Sequence, residues 1–93
     1  MSELKQIHAL VLGRVQGVYF RAHAQKEAVR LGLKGWIRNL ASGEVETVAE
    51  GLEIDLKKFI EYLNKGSPEA NVIQVKIEWL PVKKKFYSFE IVR

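Results

Sequence analysis

Cysteine is absent from this sequence of 93 residues, so disulfide bonds and thiol chemistry are excluded and nothing indicates an oxidising compartment. No apolar run approaches the roughly 20 residues that a membrane-spanning helix needs. Residues 1–12 include Glu3, Lys5 and His8, which argues against a secretory leader in that segment. From these absences we expect a soluble, unprocessed protein of the cytoplasm that does not enter a membrane.

Groups that bind metals are also few. The two histidines, His8 and His23, stand far apart in the sequence, and no paired carboxylates lie near them. This pattern does not favour a metal site, so His8 is interpreted as a sheet residue and His23 as a residue on a helix surface. No arrangement of Ser, His and Asp suggests nucleophilic catalysis. Glu27 is interpreted as a solvated helix residue, with a place on the helix stripe above residues 13–21 as the alternative.

The size and charge of the chain predict one small domain over residues 1–93 that favours anionic partners. The apolar content is 47%, which leaves room for one core and one site. Fifteen Lys and Arg oppose 11 Asp and Glu, a net charge of +4 that is too mild to identify a partner by itself. Ten Lys and ten Glu against three Asn, four Gln and one Met are typical of thermophilic proteins.

Hydrophobic periodicity predicts five strands and two helices. Residues 6–12 are apolar on both faces, which is typical of a central strand. Residues 20–31 and 55–64 have helical spacing, with Gly32 and Gly66 as stop signals. Residues 33–39 and 44–50 are interpreted as a hairpin around the loop 40–43, and alternation predicts two more strands, at 73–79 and 87–91. The lysine run Lys83, Lys84 and Lys85 is predicted to form a solvated turn between those last strands.

The order of these segments is βαββαβ with a fifth strand added. This order predicts an α+β fold, the ferredoxin-like two-layer sandwich, with two helices on one face of a mainly antiparallel sheet. The fold alone does not define a function, because it carries many activities. One alternative is an RNA-binding module of the same architecture, which stacks bases on aromatic residues of its third strand. Residues 44–50 contain three glutamates and no aromatic ring, which disfavours nucleic acid as a partner.

The run from residue 13 to residue 21 has the features of a phosphate-binding loop. Gly13 and Gly17 permit a tight turn in which backbone N–H groups point into one concavity, and the following helix adds its own unpaired N–H donors. Arg21 stands in the first helical turn, where a cation is disfavoured by about 0.3 to 1 kcal/mol unless an anion lies beside it. The run matches neither GxxxxGK[ST] nor GxGxxG, so it does not indicate a nucleotide site. A tight strand-to-helix connection is the structural alternative.

Two spaced patterns together resemble the signatures of the acylphosphatase family over nearly the whole chain. The first consists of Val11, Gly13, Val15, Gln16, Gly17, Val18, Phe20 and Arg21. The second consists of Gly35, Trp36, Ile37, Arg38, Asn39, Gly43, Val45 and Gly51. The one departure noticed is Ile37, where the family usually has a smaller apolar residue, and this concerns packing rather than chemistry.

The resemblance implies hydrolysis of the carboxyl-phosphate bond of small acyl phosphates, without a metal or cofactor. It implies that Arg21 binds the phosphate together with backbone N–H groups of Val15, Gln16, Gly17, Val18, Tyr19 and Phe20. It further implies that Asn39 orients the attacking water, although as an isolated residue Asn39 would be read as a turn residue. The expected partners are the acyl phosphate and inorganic phosphate, as product and inhibitor, and we expect a monomer.

A third interpretation is a noncatalytic domain that binds acyl phosphate or carbamoyl phosphate, since similar domains are attached to larger maturation proteins. With 93 residues the chain is either free-standing or an excised piece of such a protein. No recognisable acyl pocket lies outside the two signatures, so the physiological acyl group stays open.

Overall fold

The structure, a computed structural model, describes residues 3–82 and 85–93. Its elements follow one another as β1 (Leu4–Arg14), α1 (Phe20–Arg30), β2 (Lys34–Asn39), β3 (Val45–Leu52), α2 (Glu53–Lys65), β4 (Asn71–Leu80) and β5 (Phe89–Ile91). This order confirms the predicted ferredoxin-like sandwich with a fifth strand.

The five strands form one sheet in the order β4-β1-β3-β2-β5. All neighbours are antiparallel except β2 and β5, which are parallel. The strand β1 lies inside the sheet, as its two-sided apolar sequence predicts. Its residues Ile7, Ala9 and Val11 have no exposed surface, because they point into the core that the helices cover.

The core lies between the sheet and the two helices. The buried residues of α1 are Phe20, Ala24 and Ala28, and those of α2 are Leu56, Phe59 and Leu63. Their spacing of three or four residues aligns each set on one helix face, as the sequence predicts. Helix α1 packs on β2 and β5, whereas α2 packs on β1, β3 and β4.

The last strand is shorter than its alternating sequence predicts. Tyr87 was expected in this strand, but β5 begins at Phe89, and the Tyr87 side chain is 90% exposed. The reason is that, among the described residues, β5 has β2 alone as a neighbour and pairs with it from Gly35 onward, which leaves Tyr87 without a strand partner there. Of the predicted lysine turn, Lys83 and Lys84 lie outside the described residues, and Lys85 is exposed and belongs to no strand.

A glycine governs how β1 leaves the sheet. Pairing between β1 and β4 shifts register between Leu12 and Gly13, and Gly13 has φ 128°. A Cβ atom at this position would lie 2.2 Å from the backbone oxygen of Asn71. Only glycine fits this close approach. The register shift that it permits lies one residue before the end of β1, where the chain turns into the connection to α1.

Candidate active site

A pocket of about 350 Å³ lies where the β1–α1 connection meets the end of β2. Its lining residues are Val15, Gln16, Gly17, Tyr19, Phe20, Arg21, Ala22, Asn39 and Ile91. The fold thus brings the two sequence patterns together, because Asn39 lies at the end of β2 beside the loop that precedes α1. Of the residues predicted for the cradle, Val18 alone does not line this pocket.

The connection between β1 and α1 presents unpaired backbone donors. Within the described residues, none of the N–H groups of residues 15–19 donates to another backbone group. Gly17 has φ 74°, and Tyr19, which caps the start of α1, has φ 61° and ψ 23°. Left-handed residues in such a connection turn consecutive peptide units so that their N–H groups share one concave side. The loop therefore has the donors of an anion-binding nest.

Arg21 adds a positive charge to the same pocket. It follows Phe20 at the start of α1, where the first turn contains no acidic residue. Its side chain is half-buried, and none of the carboxylates in the described part of the chain forms an ion pair with it. The guanidinium is thus available to an external anion, beside the positive end of the helix dipole.

Asn39 supplies a polar side chain that has no hydrogen bond to any residue that the structure describes. It is opposite Val45 in the β2–β3 ladder, so its side chain lies on the helix-covered face of the sheet. Its Oδ1 atom is fully buried and has no hydrogen-bond partner. A half turn of the amide exchanges oxygen and nitrogen, so the same side chain can present either atom to the pocket.

Gln16 holds the loop against the β2–β3 hairpin. Its Nε2 donates to the backbone oxygens of Leu40 and Glu44, each at 2.8 Å. Leu40 directly follows Asn39, and Glu44 lies on the other side of the hairpin turn. The side chain therefore sets the distance between the loop donors and Asn39. The sequence patterns included Gln16 in a signature but did not predict its hydrogen bonds to the hairpin.

A second hydrogen bond to the loop comes from a residue outside both signatures. Ser67 follows α2, is buried, and donates from Oγ to the backbone oxygen of Val18 at 2.8 Å. The Val18 side chain is itself in the core, with 4% exposure. Nothing in the local sequence around Ser67 signals this contact, because its partner is 49 residues away along the chain.

The opposite face of the sheet carries a charged cluster behind Asn39. Glu46 of β3 accepts a hydrogen bond from Arg38 Nε at 2.7 Å, and its other oxygen lies 2.7 Å from His8 Nε2. The hydrogen bonds from His8 and from Arg38 hold the pKa of Glu46 below its ordinary value. The cluster joins β1, β2 and β3, and the guanidinium of Arg38 also lies 5.2 Å from the ring centroid of Trp36.

The remaining candidate residues lie away from the pocket. His8 is a sheet residue, as predicted, and His23 is exposed on α1. Glu27 is half-buried and accepts hydrogen bonds from Arg30 one turn later in α1. Across residues 3–82 and 85–93, no group of three or more His, Asp or Glu side chains could hold a metal ion. In the same described ranges, neither helix is long and apolar enough to cross a membrane.

The fold and the pocket define a ferredoxin-like α+β sandwich with a candidate site at the start of its first helix. A family model described as Acylphosphatase matches residues 7–91. The acylphosphatase of Anaeromyxobacter sp. (strain Fw109-5) is 47% identical over 79 residues, which cover 85% of each chain. The chain therefore belongs to the acylphosphatase family.

Two solved structures extend the comparison. The crystal structure of acylphosphatase from Bacillus subtilis matches with a TM-score of 0.93 and 38% identity, covering 98% of this chain and 100% of that one. The crystal structure of T. kodakarensis HypF matches with a TM-score of 0.83 and 32% identity. That match covers 96% of this chain but 12% of the HypF chain. The same fold is therefore found both as a whole chain and as a small part of a larger one.

Proposed function

We propose that this chain hydrolyses small acyl phosphates to a carboxylate and inorganic phosphate in the pocket at the start of α1. Arg21 and the backbone N–H groups of residues 15–20 bind the phosphoryl group, and Asn39 orients the attacking water. Membership of the acylphosphatase family supports the class of reaction, and the pocket supports the assignment of roles.

One observation carries the proposal: three kinds of unpaired polar group meet in one cavity. They are the loop N–H donors, the Arg21 guanidinium and the Asn39 amide. Phosphoryl transfer passes through a loose transition state in which positioning and charge stabilisation supply most of the rate. The planar fork of Arg21 can bind two phosphoryl oxygens at once, which a lysine cannot reproduce.

The proposed step needs no further chemical group from the protein. The water oxygen bonds to phosphorus while the bond from phosphorus to the acyl oxygen breaks, and the carboxylate leaves with the bonding pair. A carboxylate is a good leaving group, so no general acid is required. The Asn39 amide is too weak a base to take the water proton, which passes to an oxygen of the substrate's own phosphate. Asn39 acts with its oxygen turned to the pocket, which also relieves the buried, unpaired position of that atom.

A continuous assay with an aryl acyl phosphate beside an aryl phosphate monoester tests this function, with and without EDTA. We expect turnover of the acyl phosphate, no change in EDTA, and competitive inhibition by inorganic phosphate. Turnover of the monoester alone would contradict the assignment. Activity that is lost in EDTA and restored by a divalent metal would contradict the proposed metal independence.

One second candidate is a domain that binds an acyl phosphate or carbamoyl phosphate without hydrolysing it, since the match to 12% of the T. kodakarensis HypF chain shows that this fold also occurs as part of a longer protein. Binding of such a compound without turnover in the same assay would support this candidate. Binding of RNA is disfavoured, because β3 contributes Glu46 and no aromatic residue to the sheet face that the helices leave uncovered.

The wider predictions from the sequence belong to the same proposal. We propose a single domain over residues 1–93 that acts as a monomer in the cytoplasm and needs no cofactor. Size-exclusion chromatography with light scattering checks the oligomeric state, since a dimer has twice the mass of the 10.7 kDa chain.

A further inference from the structure

The turn after α2 is packed tightly against the start of α1. Gly66 is buried with φ 76°, and a Cβ atom there would lie 3.1 Å from the Phe20 ring. The backbone N–H of Ala70 donates to the backbone oxygen of Ser67 at 3.0 Å, which closes the turn. Ser67 is 3% exposed, so the turn holds its hydroxyl in one place, directed at the β1–α1 loop.

The Ser67 hydroxyl binds the loop at the peptide unit that joins Val18 to Tyr19. It donates to the Val18 oxygen at 2.8 Å. In a trans peptide unit the carbonyl and the following N–H point in opposite directions. Because Ser67 holds the Val18 carbonyl on the core side, the N–H of Tyr19 is turned away from the core, and Tyr19 lines the pocket.

The backbone at Tyr19 needs such a constraint. Its φ of 61° lies in the left-handed region, which is unfavourable for a residue other than glycine, asparagine or aspartate. The Tyr19 side chain is 73% exposed, so its own packing does not impose this conformation. Residues keep a strained conformation where their surroundings impose it, and such sites cluster where function requires it. The Ser67 bond acts on the adjacent peptide unit.

We propose that Ser67 is a positioning residue of the phosphate-binding loop, which locks the Val18–Tyr19 peptide unit so that the Tyr19 N–H points at the bound anion. Ser67 does not touch the substrate. This inference rests on the proposed function, because it needs an anion in the pocket, and it adds a residue that lies outside both sequence signatures.

The test compares Ser67→Ala with a control variant, Ser88→Ala. The control also removes a hydrogen bond of a serine hydroxyl, the one from Ser88 to Glu90, but at an exposed position. Inorganic phosphate is titrated into each ¹⁵N-labelled protein while the amide signals of the loop are followed by NMR. The kcat and KM for an aryl acyl phosphate are measured on the same samples, and circular dichroism checks that each variant is folded.

For Ser67→Ala we expect the phosphate dissociation constant and KM to rise roughly three- to tenfold, the factor that corresponds to one neutral hydrogen bond. The shift of the Tyr19 amide signal on phosphate binding is expected to shrink in the same variant. Ser88→Ala is expected to behave as the unaltered protein. Ser67→Cys replaces the hydroxyl by a larger thiol that is a much weaker donor, so it too is expected to lose phosphate affinity.

An unchanged phosphate affinity and an unchanged Tyr19 signal in Ser67→Ala would overturn the inference, as would full affinity in Ser67→Cys. If Ser67→Ala does not fold, the phosphate affinity of Ser67→Cys alone tests the inference. Failure of the proposed function looks different: the unaltered protein then shows no acyl phosphate turnover at all.

Discussion

Removal of Asn39 is expected to separate catalysis from stability. The Asn39→Ala variant loses an amide that has no hydrogen bond in the structure and whose oxygen is fully buried. In most buried sites, truncation of a polar side chain leaves a partner unpaired and lowers the free energy of unfolding. Here no partner is left behind, so the usual source of destabilisation is absent.

The magnitude follows from the same observation. A buried, unpaired polar group costs the native state about 1–3 kcal/mol, and rotation of the amide toward the pocket recovers part of that free energy. We therefore expect the free energy of unfolding to stay the same or to rise by up to about 1 kcal/mol. For a chain of this size, 1 kcal/mol corresponds to a change in Tm of about 4–8 °C.

The effect on activity is expected to be large. If Asn39 orients the attacking water, kcat falls by about 100-fold or more, as when one preorganised polar group is removed. Inhibition by phosphate is expected to change little, since Arg21 and the loop donors are intact. Urea denaturation, kcat and the phosphate inhibition constant are measured together. Asn64→Ala is the control, because Asn64 is exposed on α2 and bonds only to Ile60 within its own helix.

Two results would refute the reasoning. A loss of more than about 1 kcal/mol of stability would show that the Asn39 amide has a partner that stabilises the fold. A kcat near that of the unaltered protein would remove Asn39 from the catalytic step.

Three further predictions concern the neighbours of Asn39. Arg21→Ala is expected to lower kcat and to weaken inhibition by phosphate. Arg21→Lys is expected to restore little of either, because a lysine lacks the planar fork of the guanidinium. Normal phosphate affinity in Arg21→Ala would contradict the role of Arg21. Gln16→Met removes the two hydrogen bonds to the Leu40 and Glu44 oxygens, each of which keeps a backbone N–H donor within the hairpin turn. Two hydrogen bonds contribute about 1–3 kcal/mol together, so urea denaturation is expected to show a loss of that size with a lower kcat/KM, and an unchanged stability would contradict a role of Gln16 in holding the loop. Glu46 has a lowered pKa in the folded protein, so its contribution to stability is present above its unfolded pKa and is lost as pH falls. Glu46→Gln is therefore expected to flatten the loss of Tm between about pH 5 and pH 3, and an unchanged slope would contradict this.

The sequence by itself determined the order of the elements and the family. The spacing of Leu56, Phe59 and Leu63 predicts the inward face of α2, since neighbours on one helix face are fixed by the geometry of a single segment. The two-sided apolar pattern of residues 6–12 predicts the interior position of β1 for the same local reason. The residues proposed for the site came from the two signatures, and their roles stay predictions until the variants are measured.

Only the tertiary structure decided how those residues are held. Tyr87 continues an alternating pattern, yet it lies outside β5, because a strand needs a partner and the neighbouring strand offers none at that point. The ties from Gln16 to Leu40 and from Ser67 to Val18 join residues 24 and 49 positions apart. Such contacts depend on sheet register and on how the turn after α2 packs against α1. Local sequence patterns specify neither, because both are set by the packing of the whole core.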